Sequence, residues 1–293
     1  MNVFPSFDVY SPREIAQRVQ DVCMAKSRLS LLQLSMLGML AGAFIGLGAL
    51  FSVIVVSDAS LGFAAQRVLA GVVFSLGLLL VVVAGAELFT GNNLLAMAWA
   101  DGCMPTRDVL TNWVVVCAAN FVGAAGLAVI VYLSGHTGMN GGAVGKTYLA
   151  IAAAKSSLSL GEAFFRGVLC NVLVCMAVWM TLAGRSVMDK FIAIVFPISA
   201  FVAAGFEHSI ANMYFIPVGL FIKAGAPEAF WTTIHKTAGD FANLTWDRFF
   251  VNNLLPVTIG NIIGGALMVG VAYWFIYLRH RQPAPTPTGS TTK

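Results

Sequence analysis

In the stretch AAGFEHSIANMYF, Ala203 to Phe215, a carboxylate and an imidazole stand side by side inside an apolar run. Glu207 and His208 can hold or pass a proton near neutral pH, and an ionisable group among apolar neighbours is costly unless it has work or a partner. Glu207 could pair with His208 or bond freed backbone amides. A second stretch, AGAELFTGNN from Ala84 to Asn93, repeats the pattern Ala-Gly-x-Glu, then a hydroxyl, then an asparagine. Here Glu87 answers Glu207, whereas Leu88 stands where the histidine would be. Thr90, the hydroxyl of this stretch, is either a helix cap or a group facing the same space as His208. Asn112 and Asn120 followed by FVGAAG match Asn253 and Asn261 followed by IIGGAL, at one spacing. Asn171 and Asn261 sit in apolar helices, as interhelical hydrogen-bonding groups or as polar points on a pathway.

Other chemistries fit poorly. No HExxH occurs and Ser209 lacks a GxSxG setting, so an intramembrane enzyme built on Glu207 and His208 has neither metal ligands nor an activated nucleophile. NGGAVGKT resembles a phosphate loop but has Asn140 where the pattern needs glycine. The five cysteines form no CxxC pair and read as small apolar packing residues. No cofactor or metal site is expected, and a net charge of +4 without a basic cluster gives no nucleic-acid partner.

The elements that position these residues must lie in a bilayer. The chain is 58% hydrophobic and 10% charged, far from the roughly 25% charged content of a soluble domain. Six apolar segments, at roughly 31–57, 68–100, 109–135, 162–184, 190–222 and 249–278, are each long enough to cross about 30 Å of hydrocarbon. The second and fifth contain the polar stretches at Glu87 and Glu207, and each reads as two half-helices with a break inside the bilayer. Segments one to three and four to six look like two copies of one unit. Three spans per copy make the second inverted relative to the first, which is how midplane transport sites are built. Half-helices starting near Thr90 and Ser209 would aim free N–H groups at the centre and favour an anion.

Glycines 38, 42 and 46, with Gly260 and Gly264, permit close helix approach. Ser11, Pro12 and Glu14 open an amphipathic helix over residues 11–26, with Ile15, Val19, Val22 and Cys23 on one face, expected to lie along the membrane surface. Lys and Arg number ten on the side of the termini and seven on the other, which places both termini in the cytoplasm. The organisation expected is an amphipathic segment at 1–30, a channel domain at 31–279 and a disordered tail at 280–293.

The stretches GFEHSIANM, GAELFTGNN, CMAVWMTLAGRSVMDK and NNLLPVTIGNIIGG resemble the formate/nitrite transporter family, and within it the bacterial formate channels. The resemblance runs from about residue 5 to 279 and is weakest in the loop at about 135–160. It implies an all-α, aquaporin-like fold in a homopentamer with one pore per protomer, in the bacterial inner membrane. It places the central histidine at His208 and its threonine at Thr90. It also places an outer constriction at Phe74 and Phe201, an inner one at Leu78, Phe89 and Val174, and a flexible loop around 78–89 as a gate. Polar positions fall on Asn171 and Asn261, and an outer basic residue on Lys155. The implied cargo is formate, with nitrite or hydrosulfide as the alternative that these motifs leave open.

Overall fold

The computed structural model describes residues 10–279 and is helical throughout those residues. The tail expected at 280–293 lies outside them. Helix α1 (Pro12–Lys26) precedes α2 (Leu31–Val56) and α3 (Phe63–Ala84). A loop follows, then a 3-10 turn (Gly91–Leu94) running into α4 (Leu95–Ala100), and α5 (Thr106–Leu133). Next come α6 (Ala143–Ser156), α7 (Leu160–Thr181), α8 (Val187–Ala204), α9 (Ser209–Gly225) and α10 (Glu228–Ile234). The last long helix, Arg248–Tyr277, is α11 (Leu255–Ile262) and α12 (Ala272–Tyr277), with π-helical stretches at Arg248–Leu254 and Ile263–Val271. Among the described residues, six helices are long and apolar enough to cross a membrane: α2, α3, α5, α7, α8 and Arg248–Tyr277. α9 and α10 form a further apolar pair bent by 113°.

One local rule starts several of these helices. α1, α2, α7 and α8 open on capping boxes, Ser11 with Glu14, Ser30 with Gln33, Ser159 with Glu162 and Ser186 with Asp189, which satisfy N–H groups that a helix start leaves unpaired. One rule also stops two of them. α3 ends at Gly85 (φ 72°) and α8 at Gly205 (φ 73°), where left-handed backbone closes the last turn. The polar stretches read from the sequence therefore fall just past helix ends, at Ala86–Thr90 and Phe206–His208.

α2 packs along α5 and α3, α3 along α8, and α7 along α11. The small residues set these distances. A Cβ on Gly123 would meet the Met39 carbonyl, and one on Gly264 the Val168 carbonyl.

Three expectations change. The segment at about 135–160 is not a loop but carries α6, packed on α9. α1 does present Ile15, Val19 and Cys23 on one face, but that face is buried against the protein beside α4 and α12, and Val22 is exposed. An apolar stripe used in this way is not left for the membrane surface. The third change concerns the loop expected around 78–89: Leu78 lies within α3, and the interruption is confined to 85–90.

Candidate functional site

Both interruptions are held by the same set of contacts. Glu87 N–H donates to the Leu37 carbonyl at 3.2 Å, and Glu207 N–H to the Arg166 carbonyl at 3.2 Å. Asn120 accepts from Phe89 N–H (2.9 Å) and donates to the carbonyls of Gly38 (2.7 Å) and Glu87 (2.9 Å). Asn261 accepts from Ser209 N–H (2.9 Å) and donates to the carbonyls of Gly167 (2.8 Å) and Glu207 (3.0 Å). One turn on, Asn92 donates to Glu87 (2.7 Å) and Asn112 (2.9 Å), while Asn212 donates to Glu207 (2.7 Å) and Asn253 (2.7 Å). The eight-residue spacing of the paired asparagines spans about 12 Å of helix, enough for one to hold the loop and the other the restart.

Each carboxylate also meets a lysine. Lys26, the last residue of α1, lies 2.7 Å from Glu87, and Lys155, near the end of α6, lies 2.8 Å from Glu207. Both carboxylates are buried, where an ion pair of this kind offsets the cost of taking the group out of water. The lysines differ in one respect. Lys26 also donates to Asn92 Oδ1 at 2.8 Å. The twin atom, Asn212 Oδ1, is buried with no partner, and the Lys155 ammonium instead sits 5.7 Å from the Phe215 ring centroid.

His208 belongs to one half only. Its Nε2 lies 2.9 Å from Thr90 Oγ1, and its Nδ1 accepts from Ala211 N–H at 3.1 Å. An Nδ1 that accepts a backbone N–H carries no proton, so the neutral ring keeps its hydrogen on Nε2 and donates to Thr90. Thr90 thus meets the histidine, and its side chain makes no cap bond. Glu207 does not pair with His208, because its oxygens are taken by Lys155, Asn212 and Asn253. The amides of Ser209 and Ala211 are also engaged, by Asn261 and His208, so this helix end offers fewer bare donors than its sequence promised.

Two cavities flank this centre. One, of about 390 Å³, lies beside α1 and is lined by Lys26, Glu87, Leu78, Leu88 and Lys190. The other, of about 260 Å³, is lined by Arg67, Lys155, Arg166, Glu207, Phe74, Phe201 and His208. Phe74 and Phe201 meet edge to face at 5.6 Å, and Phe201 stacks on the His208 ring at 5.9 Å. Phe89, Thr90, Val174, Asn171 and Asn261 line neither cavity and are buried between the helices. Asn171 donates to the Thr90 carbonyl (3.2 Å), Asn93 Oδ1 (2.7 Å) and the Asn261 carbonyl (2.7 Å), which ties one interruption to the helix that holds the other.

The sequence reading missed Lys26, and it took Asn112, Asn253, Asn92 and Asn212 only as marks of a repeat. Their equal spacing in both halves was the available signal. Among the described residues no group of three or more His, Cys, Asp or Glu could hold a metal ion. Burial pushes the Cys23 thiol up to about 12, which suits a packing role.

The model of the family described as formate/nitrite transporter matches residues 13–275. The formate channel FocA of Escherichia coli K12 is 40% identical over 277 residues, covering 94% of this chain and 97% of the relative. A solved pentameric formate channel with formate bound is similar with a TM-score of 0.80 and 39% identity, over 85% of this chain and 98% of that one. An ion channel described as of the FNT family gives 0.75 and 26%, over 90% and 98%.

Proposed function

We propose, on the premise that this chain belongs to the formate/nitrite transporter family, that it is a pH-sensitive channel passing formate and similar small monovalent anions across the bacterial inner membrane. It is a transport protein and not an enzyme. In this reading residues 31–279 form two inverted three-helix repeats, whose second and fifth helices break inside the bilayer at the two interruptions. Residues 1–30 and both termini are cytoplasmic, so the cavity beside α1 faces the cytoplasm and the cavity holding Lys155 faces outward. The protein forms a homopentamer, as the similar solved channel does, with one pore in each protomer.

The observation that carries the reading is the contact between His208 Nε2 and Thr90 Oγ1, made by the two interruptions where the cavities end. An anion reaching the outer cavity meets Lys155, and then the apolar rings of Phe74 and Phe201, with Leu78, Phe89 and Val174 beyond. A bare charge crosses such rings only at a cost of many kcal/mol, whereas a neutral acid crosses far more easily. His208 is the group that changes the charge. A proton taken up at Nδ1 expels the Ala211 N–H from its cap, so the charged ring is short-lived and passes a proton to an arriving carboxylate. Acid conditions therefore favour passage. In proteoliposomes, His208→Phe is expected to abolish the rise of formate flux with falling pH. Flux that keeps the same pH dependence in that variant sinks the proposal. Nitrite or hydrosulfide is the rival cargo within the same fold, and competition among the three anions separates them.

A further inference from the structure

The outer cavity in this reading is lined by a cation that neither the repeat nor the motifs single out. Arg67, one turn into α3, reaches across to α8, where its Nε donates to the Ala203 carbonyl at 2.9 Å and its Nη2 to the Val202 carbonyl at 3.0 Å. These are among the last carbonyls of α8, where its negative pole is concentrated, and the Val202 carbonyl also accepts from Gly205 N–H at 3.1 Å. Gly205 follows, so close that a Cβ there would lie 2.9 Å from Arg67 Nη2. The same α3 carries Phe74 and the same α8 carries Phe201, the two rings that meet edge to face at this cavity.

The problem this solves is electrostatic. An interrupted helix that directs its N-terminal half at an anion must also expose the C-terminal end of its other half, which repels one. At the mouth beside α1, no arginine among the described residues lines the cavity at the end of α3, and Gly85 has nothing within 4 Å of a would-be Cβ. The position that answers Arg67 in the other half is Val187. At the outer mouth Arg67 covers the repelling end. With Lys155 and Arg166 it gives that cavity three cations against the single carboxylate of Glu207, where the other has two, Lys26 and Lys190, against Glu87.

We infer that Arg67 is the residue that admits a monovalent anion past the C-terminal end of α8, by cancelling that end's negative pole and holding α3 and α8 in register at the Phe74–Phe201 ring. This rests on the transport reading above, and the test separates the two. Formate uptake into proteoliposomes is measured for wild type, Arg67→Gln and Arg67→Lys from about 10 mM to about 1 M inert salt.

Removing one partly screened charge at this range is expected to raise the half-saturating formate concentration about fivefold at low salt for Arg67→Gln, and the difference closes near 1 M, where the Debye length is about 3 Å. Arg67→Lys keeps the charge and is expected to keep the wild-type half-saturation. If Arg67→Gln does not fold, Arg67→Lys decides, since a raised half-saturation in that variant overturns the inference and a wild-type value supports it. A permeable wild type with Arg67→Gln identical to it, or with a deficit equal at all salt concentrations, overturns the role of Arg67 alone. A wild type no more permeable than empty liposomes overturns the transport reading, and this inference with it.

Discussion

The two interruptions share the clamp that holds them and differ in several of the groups that face the cavities. Asn120 and Asn261 clamp them with three equivalent hydrogen bonds each, and Glu87 and Glu207 each meet a lysine and an asparagine. Against that common frame stand Leu88 opposite His208, Lys26 held by two acceptors opposite Lys155 held by one, and a bare α3 end opposite an α8 end covered by Arg67. Contacts needed to keep a broken helix satisfied in an apolar medium must recur wherever the break recurs. Groups that act on the cargo are free to be confined to one half. Recurrence thus separates scaffold from chemistry without any knowledge of the cargo.

The sharpest way to break this comparison is to remove the clamps. Asn261→Ala leaves the buried Ser209 N–H and Glu207 carbonyl unpaired, as Asn120→Ala leaves the Phe89 N–H and Glu87 carbonyl, and each is expected to cost about 3 kcal/mol. Thermal unfolding in detergent checks both. Similar losses support a shared scaffold, while a large difference says that one interruption is held by something else.

Next in size is the asymmetry at the histidine. His208→Leu gives the second interruption the residue that the first already has. It is expected to lower acid-stimulated formate flux by about tenfold or more, in line with the worth of a positioned proton donor. The same change removes the cap on Ala211 and the bond to Thr90, so its stability cost is expected to be about 2 kcal/mol. A protein that unfolds on this change, with transport unaltered in what remains folded, reverses the assignment and makes His208 scaffold.

The lysines should divide in a subtler way. Without Lys26, Glu87 keeps only the Asn92 N–H, whereas without Lys155 Glu207 keeps bonds from both Asn212 and Asn253. Lys26→Gln is therefore expected to be about 1 kcal/mol more destabilising than Lys155→Gln. Lys155→Gln is expected to show the larger rise in half-saturating formate concentration, by several-fold, because its ammonium has fewer protein acceptors and lines the cavity of Phe74 and Phe201. Equal effects of the two variants in both measurements would mean that the orphaned Asn212 oxygen carries no functional difference.

How much of this could be read from the chain follows from the same physics. A glutamate in a membrane segment is conspicuous because it is expensive there, so the interruptions at Glu87 and Glu207 stood out, and the absence of a histidine at Leu88 directed attention to His208. Thr90 was left open between a cap and a partner, and only the meeting of α7, α9 and the first interruption decides it. α6 was missed because AVGKTYLAIAAAKS, after a glycine-rich turn, is neither long enough for a span nor patterned on one face. Missing α6 hid the answer of Lys155 to Lys26, since each lysine sits near the end of a helix that precedes its interruption in the chain. The π-helical stretches, one holding Asn253 and the other beginning just after Asn261, leave no periodic mark in so apolar a segment.

The smallest effect isolates Arg67. Gly85 and Gly205 have nearly the same φ, 72° and 73°, so alanine at either place carries the same left-handed strain of about 1–2 kcal/mol. What differs is the surroundings, since a Cβ meets nothing within 4 Å at Gly85 and meets Arg67 Nη2 at Gly205. Gly205→Ala is therefore expected to melt slightly lower than Gly85→Ala, by less than about 1 kcal/mol, because the guanidinium must loosen its hold on the Val202 and Ala203 carbonyls. The difference should vanish when both alanines are placed in an Arg67→Gln background, where no guanidinium is left to displace, and this double-mutant cycle reads that contact apart from the backbone strain common to both sites. A gap that survives the loss of Arg67 comes from the backbone of α8 itself, and the two helix ends are then unequal for a reason other than the arginine.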